Sequence, residues 1–277
     1  MIKELSVDEY NRFRQALEKH SGIMLGEGKE YLVTSRLRRL MERESLLSVS
    51  DLLAAMERNR PLMENVIDAM TTNETLWFRD DHPYRIFRDR LLPEFAAQRR
   101  PLKIWSAACS TGQEPYSLSI EIEEYRKKNP GQLMAGERIL ATDISPSSLA
   151  AAKEGVYQQL AIRRGMNDQH LKNYFESADS DRWRICQPIR SRVEFRLQNL
   201  QQNFSLLGKF DVIFCRNVLI YFSADLKYDI LKRMHASLNP GGYLMLGASE
   251  AMNNLGDYYE MVQCHPGIVY RAKKIGG

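Results

Sequence analysis

The sequence predicts an α/β protein in which a small all-helical N-terminal domain precedes an open, mostly parallel sheet carrying a small antiparallel β insert. Three observations predict it. Residues up to about Met70 follow helical periodicity with helix-start signals. From Leu102 onward strand-like and helix-like segments alternate. The chain then closes on two strand-like runs separated by Pro266-Gly267. With 277 residues, 44% of them hydrophobic, there is enough chain to fill a real core.

In the helical part, Ser6-Val7-Asp8-Glu9 has the form of a capping box, in which the serine accepts from the first turn and the glutamate reaches back. The helix it opens ends near Gly22. GKEYLVTSRLRRLMERE (28–44), VSDLLAAMERN (49–59) and RPLMENVIDAM (60–70) follow, the last with Pro61 in a first turn, where its missing N–H is no loss. TTNETLWFRDD (71–81) reads as a boundary ahead of a strand-like pattern. It nevertheless holds Asn73, Glu74, Thr75, Arg79, Trp77 and Phe78, more hydrogen-bonding and stacking capacity than a solvated linker needs.

Beyond it, KIWSAA, RILATDIS, VEFRLQNL, FDVIFCRN and GGYLMLGAS read as strands, separated by helices such as EPYSLSIEIEEYRKK, SPSSLAAAKEGVY and ADLKYDILKRMHASL. Such alternation argues for a mostly parallel sheet with helices on both faces. YYEMVQCHPGIVYRAKK ends it as an antiparallel hairpin, and DRWRICQPIRSR reads as short inserted strands. The expected organisation is residues 1–72 and 73–277, with the β insert at about 172–196.

Composition narrows the function. The net charge of +4 permits an acidic partner without demanding nucleic acid. No apolar run approaches the length of a membrane span and no apolar start resembles a signal peptide, so direct membrane insertion is not expected. Cys109, Cys186, Cys215 and Cys264 form no CxxC pair, and the five histidines are scattered, so a reduced cytoplasmic chain without a metal site is expected.

In open α/β sheets ligands bind past the carboxyl ends of the strands. The first such loop, SAACSTGQEPYS, has small residues and Gly112 but no GxGxxG, which points away from a pyrophosphate. The second strand ends in Asp143, suited either to the two hydroxyls of a ribose or to capping the helix that begins near Ser145. Glu114 is either a ligand or a first-turn carboxylate favoured by the helix dipole. Two acids aimed at one crevice favour a cationic ligand, and S-adenosylmethionine has a ribose, a sulfonium and no phosphate. In FCRNVLIYF, Arg216 and Asn217 follow a buried strand and precede a second apolar run containing Tyr221. The Asn/Asp-Pro-Pro-aromatic element of nucleic-acid amino-methyltransferases is not there, so the acceptor is not expected to be a base.

TTNETLWFRDD, SAACSTGQEPYS, ATDIS, the Asn199-Leu200 pair in LQNL, FCRNVLIYF and LGASE together resemble the chemotaxis receptor glutamate methyltransferases, the CheR family. The resemblance implies a class I, Rossmann-like methyltransferase core behind a helical receptor-recognition domain. It implies that Asn73, Thr75, Arg79, Glu114, Asp143, Asn199, Leu200, Arg216 and Asn217 contact S-adenosylmethionine, with S-adenosylhomocysteine as product. It also places Tyr221 beside the transferring methyl. Asn73, Thr75 and Arg79 are then expected to close over the cofactor from the helical side, with Trp77 and Phe78 packing the domain junction.

A glutamate acceptor is already ionised at neutral pH, with an ordinary pKa of about 4.3, so no general base is required. Tyr221 is expected to position it, and Arg79 to anchor the cofactor without supplying a proton. The partner implied is the cytoplasmic helical domain of chemoreceptors, which would recruit a monomeric enzyme to membrane-bound receptor arrays. Lys29, Arg36 and Arg43 recur at heptad spacing with Arg39 on the same side, a basic stripe that suits an acidic receptor helix as well as plain solvation. FESADSDRWRICQPIRSRVEF has no glycine, unlike members of the family that bind a receptor's C-terminal peptide, so methylation is expected to be independent of such a tether. Two rivals stand beside this reading: the same core acting on a small acid or another protein, and a non-catalytic S-adenosylmethionine-binding adaptor.

Overall fold

The computed structural model describes residues 5–252 and 254–274. Among them the chain divides into two compact units, one of residues up to Thr72 with Tyr221–Lys227, the other of Asn73–Ile220 with the residues from Tyr228 onward.

The first unit is helical. α1 (Val7–Ser21) opens with the expected capping box: the Ser6 hydroxyl accepts from the Glu9 N–H at 3.3 Å, and the Glu9 carboxylate accepts from the Ser6 N–H at 3.1 Å. Glu9 also accepts from the Ser50 hydroxyl at 2.8 Å, joining α1 to α3. These bonds, the Ser6 N–H first, hold its carboxyl down at about 2. α2 (Glu30–Arg43) turns Val33, Leu37, Leu40 and Met41 inward at helical spacing. α3 (Val49–Met56) and α4 (Arg60–Met70) start on Ser48 and Asn59, each of which accepts from the third residue of its turn. α1 packs against α3 and α2 against α4.

The second unit opens with the stretch from Asn73 to Asp81. It is followed by helix, not strand: α5 (His82–Ile86), one π-helical turn (Phe87–Leu91) and α6 (Leu92–Ala97). Pro83 and Pro93 sit where a first helical turn accepts them, and Tyr84, Phe87, Leu91 and Phe95 are buried at spacings of three and four. Then come β1 (Leu102–Ala107), α7 (Gln113–Lys128), β2 (Glu137–Asp143) and α8 (Pro146–Glu154). A small-sheet segment follows as β3 (Val156–Gln158), α9 (Gln159–Arg163), α10 (Asp168–Tyr174), β4 (Phe175–Ser177), β5 (Arg182–Ile185) and α11 (Gln187–Arg190). β6 (Val193–Leu197), β7 (Phe210–Cys215), α12 (Ala224–Ser237), β8 (Leu238–Leu246), β9 (Tyr259–Cys264) and β10 (Gly267–Ala272) complete the chain.

The large sheet has seven strands in the order β6-β2-β1-β7-β8-β10-β9. β1, β2, β6, β7 and β8 pair in parallel, and β10 is antiparallel to both neighbours, as the closing hairpin requires. This is the class I methyltransferase sheet that the resemblance implied. Its core is Ile104, Ile139, Val212, Phe214 and Met245 against Leu118 and Ile122 of α7 and the aromatic face of residues 84–95. The switch point, where the sheet runs outward in both directions from β1 and β7, sets the loops after β1, β2, β6 and β7 around one crevice.

The small sheet has the order β3-β5-β4. It draws its first strand from Val156–Gln158 and ends at Ile185, while Val193–Leu197 pairs with β2 as the edge of the large sheet. The antiparallel insert therefore begins and ends earlier in the chain than residues 172–196, because Val156 directly follows the left-handed C-cap Gly155 of α8 and has β5 to pair with.

Candidate active site

The loop after β1 is compact because its backbone turns left-handed at Ala108, Ser110 and Gly112. Gly112 is needed twice over: its φ is 94°, and a Cβ there would lie 2.9 Å from the Ala152 Cβ and 3.1 Å from the Tyr157 hydroxyl. The Asp143 carboxylate joins this loop to the next, accepting from the Ser110 N–H at 2.7 Å and the Ser145 N–H at 2.9 Å. Capping of α8 falls to Ser145, whose hydroxyl accepts from the Ser148 N–H at 3.1 Å. Asp143 thus organises two loops at the crevice. The Ser110 hydroxyl donates to the Asn73 carbonyl at 3.0 Å, which brings the boundary stretch to the same place.

Glu114, in the first turn of α7, is buried. One carboxylate oxygen accepts from the Ser106 hydroxyl at 2.8 Å and the other from Arg216 Nη1 at 3.3 Å. Burial pushes its carboxyl up, and the Arg216 guanidinium pulls it back. Arg216 has a side chain 1% exposed. Its Nη2 donates to the Arg79 carbonyl at 2.9 Å and to Asp80 Oδ2 at 2.7 Å, and the guanidinium lies 5.7 Å from the centre of the Tyr84 ring. Glu114 is therefore compensated inside the protein, which modifies the expectation of two acids offered to a cation. Arg216 works as a hub between β7, α7 and the boundary stretch.

That stretch is held under strain. Phe78, Asp80 and Asp81 have φ of 48°, 68° and 49°, and a non-glycine residue there costs about 1 kcal/mol or more. Arg216 offsets this through Arg79 and Asp80, the Phe78 N–H donates to the Ser117 hydroxyl at 3.2 Å, and the Trp77 N–H donates to the Arg164 carbonyl at 3.1 Å. Trp77 is fully buried with its edge on Tyr157 and Phe175, at ring separations of 4.9 and 5.2 Å. At Gly165 a Cβ would lie 2.0 Å from the Trp77 carbonyl. Trp77 therefore packs on the small sheet inside the sheet unit, and Asn73–Arg79 belong to that unit and not to the helical one. The Arg79 side chain is partly exposed and donates to the Glu74 carbonyl at 3.2 Å. Thr75 is partly buried in the same stretch.

On the far side, Asn199 and Leu200 follow β6 and are buried, and the Asn199 side-chain oxygen accepts from the Gln201 N–H at 2.9 Å. Asn217 is left-handed, with φ of 58°. Its N–H donates to Glu250 Oε2 at 2.8 Å, and the same carboxylate accepts from the N–H groups of Val218, Leu219 and Gly247 at 2.7–2.9 Å. Glu250 shapes the loops after β7 and β8 together, and Gly247 must lack a Cβ, which would lie 2.7 Å from Glu250 Oε2. Sequence reading did not single out Glu250, Asp80, Ser106 or Ser110. Glu250 lies in the LGASE segment, which was the available signal.

Tyr221 and the basic stripe lie in the helical unit. Tyr221 ends a one-turn 3-10 helix, and its carbonyl accepts from the Met24 N–H at 2.9 Å. Arg36 does not stand free in a stripe: Nη1 donates to the Met70 and Thr71 carbonyls at 2.7 and 2.9 Å, and Nη2 to the Thr72 hydroxyl at 3.2 Å. The orphan carbonyls at the end of α4 attract the cation. Arg39 is exposed, and exposed Arg43 pairs with Glu44 at 3.1 Å.

The donor set suits a nucleoside cation without phosphate. Asp143 and the amides of Asn199 and Asn217 stand on the loops at the carboxyl ends of the strands, the Asn73 carbonyl of the boundary stretch is tied to the first of those loops by Ser110, and the buried cation, Arg216, is committed to Glu114 and Asp80. Comparison with known proteins points the same way. Residues 73–268 match the family described as the CheR methyltransferase SAM-binding domain, and residues 8–71 the CheR methyltransferase all-alpha domain. Chemotaxis protein methyltransferase 1 of Pseudomonas aeruginosa is 56% identical over 268 residues, covering 96% of this chain and 98% of that one. A protein of the same name from Vibrio cholerae is 52% identical over 97% and 98% of the two chains. The chemotaxis protein methyltransferase of Salmonella typhimurium is 34% identical over 91% and 86%.

Proposed function

The chain belongs to the CheR methyltransferase family and is an S-adenosylmethionine-dependent methyltransferase, and from that premise we propose that it methylates glutamate side chains of chemoreceptors, giving methyl esters and S-adenosylhomocysteine. The observation that carries this reading is the arrangement of the crevice loops, in which Asp143, Glu114 and Arg216 tie the boundary stretch to the carboxyl ends of β1, β2 and β7.

S-adenosylmethionine supplies an electrophilic methyl on a sulfonium. Asp143 would accept from its ribose, Asn199 and Leu200 would bound its adenine, and Asn73, Thr75, Arg79 and Asn217 would hold its remaining polar groups. Glu114 and Arg216 would act mainly by fixing these loops. An ionised glutamate needs no base, so rate comes from alignment and exclusion of water. Tyr221 would orient the acceptor carboxylate, and Arg79 would anchor the cofactor without giving up a proton.

Residues 1–72 would recognise the receptor, through Arg39 and Arg43 more than Arg36, whose guanidinium already serves α4. Residues 73–277 would form the methyltransferase domain. Docking would not need a C-terminal receptor peptide: the turn between β4 and β5 is closed without glycine, with Asp179 paired to Arg182 at 2.6 Å and accepting from the Asp181 N–H at 3.2 Å. No helix among the described residues is long and apolar enough to cross a membrane, and a cytoplasmic monomer recruited by its receptors fits the reading. Labelled S-adenosylmethionine and a panel of receptor cytoplasmic fragments test it. Label released from the receptor by alkali supports the ester; label on small acids, or no transfer, sinks the proposal.

A further inference from the structure

α1 ends at Gly22, whose φ is 77° and whose N–H donates to the Glu18 carbonyl at 2.7 Å. A left-handed helix end explains a glycine. It does not explain the surroundings: a Cβ at Gly22 would lie 2.6 Å from Leu226 Cδ2 and 3.3 Å from two ring carbons of Phe222. Two residues on, the Met24 N–H donates to the Tyr221 carbonyl. The turn that makes these contacts is stiff, because the buried Ser21 hydroxyl donates to the Leu17 carbonyl at 2.6 Å and accepts from the Ile23 N–H at 3.1 Å. The Ser21–Met24 turn thus grips the segment Tyr221–Leu226 at its start and along its length.

We propose that Gly22 is a positioning residue for methyl transfer: by admitting Phe222 and Leu226 against the end of α1, it lets the Met24 N–H fix the backbone of Tyr221. This rests on the reading of Tyr221 as the residue that orients the acceptor. Tyr221 would then be carried by the helical unit, whereas the residues assigned to the cofactor belong to the sheet unit. A lesion at Gly22 should lower turnover without touching cofactor affinity.

The variant of choice is Gly22→Asn, since asparagine tolerates the left-handed conformation yet brings the Cβ. In the full-length enzyme, kcat on a receptor fragment should fall about tenfold while the cofactor Kd, measured by calorimetry, stays within about twofold. Adding Leu226→Ala, which removes the colliding methyl, should recover several-fold of the loss. In a Tyr221→Phe background Gly22→Asn should have little further effect on kcat, because two lesions acting through one group are not additive. Unchanged kcat in Gly22→Asn overturns the proposal, as does a full additive loss in the Tyr221→Phe background, which would make Gly22 merely a helix cap. If instead Tyr221→Phe alone leaves kcat and receptor affinity at parental values, the reading of Tyr221 fails. Should Gly22→Asn not fold, Leu226→Ala alone, loosening the grip from the other side, must lower kcat with cofactor Kd unchanged; equal losses in both would count against the idea.

Discussion

Replacing Arg216 with methionine tests the site's central pairing. The substitution keeps an unbranched side chain of similar reach but leaves Glu114 buried beside Ser106 without its cation, and releases Arg79 and Asp80. Removing one partner of a buried pair costs about 3–5 kcal/mol. The charge part has a ceiling, because Glu114 can take up a proton instead of staying ionised. From an ordinary pKa near 4.3, neutralisation at pH 7 costs about 2.7 × 1.36, roughly 3.7 kcal/mol, and at pH 5 about 1 kcal/mol. The Asp80 contact adds little, since that side chain is 34% exposed. The sign follows from the direction of the shift: a carboxyl raised in the fold weakens the protein above its unfolded pKa, and the penalty vanishes below it. Urea unfolding of Arg216→Met and parent at pH 7 and pH 5 should therefore show a deficit of about 3–4 kcal/mol that shrinks by about 2–3 at the lower pH. Adding Glu114→Gln should recover part of it at pH 7. A deficit below about 1 kcal/mol at pH 7, or one of equal size at both pH values, would refute the pairing as the organiser of these loops.

Arg79→Ala should weaken cofactor binding at least tenfold by calorimetry while moving stability by less than about 1 kcal/mol, since its side chain is partly exposed and donates to a single carbonyl. Trp77→Ala should cost about 3–5 kcal/mol in chemical denaturation, because it empties a fully buried aromatic site between Tyr157 and Phe175. Glu9→Gln should destabilise the protein at pH 7 and cease to matter near pH 2: a lowered carboxyl pKa gives stability that is present above about 4.5 and lost as pH falls through about 2. Thermal melts across that range are the check. Charge reversal at Arg39 and Arg43 should lower receptor affinity most at low salt with Tm unchanged, whereas reversal at Arg36 should lower Tm through α4; melts and salt-dependent binding separate them.

Local chemistry made much of this protein readable in advance. The capping box at Ser6 and Glu9, the first-turn proline at Pro61, and the alternation of strand and helix patterns are written in neighbouring residues, and helix and strand periods follow from backbone geometry alone. Residues 82–97 escaped because a run of aromatic and aliphatic residues interrupted by prolines does not declare its period until it has a surface to pack on. The start of the small sheet at Val156 escaped for a related reason: three residues have no strand signal until β5 supplies their partners.

Of the candidate site, the residue types were legible and their employment was not. By itself the sequence determined which loops carry acids, amides and glycines, because a motif is a local string. Only the tertiary structure decided that Glu114 answers Arg216 across 102 residues and that Glu250 gathers four N–H groups from two loops. It likewise placed Arg36 on the end of α4 and Tyr221 with the helical unit. A buried charge or an orphan carbonyl must find its partner wherever the fold brings one near, and that requirement ignores distance along the chain.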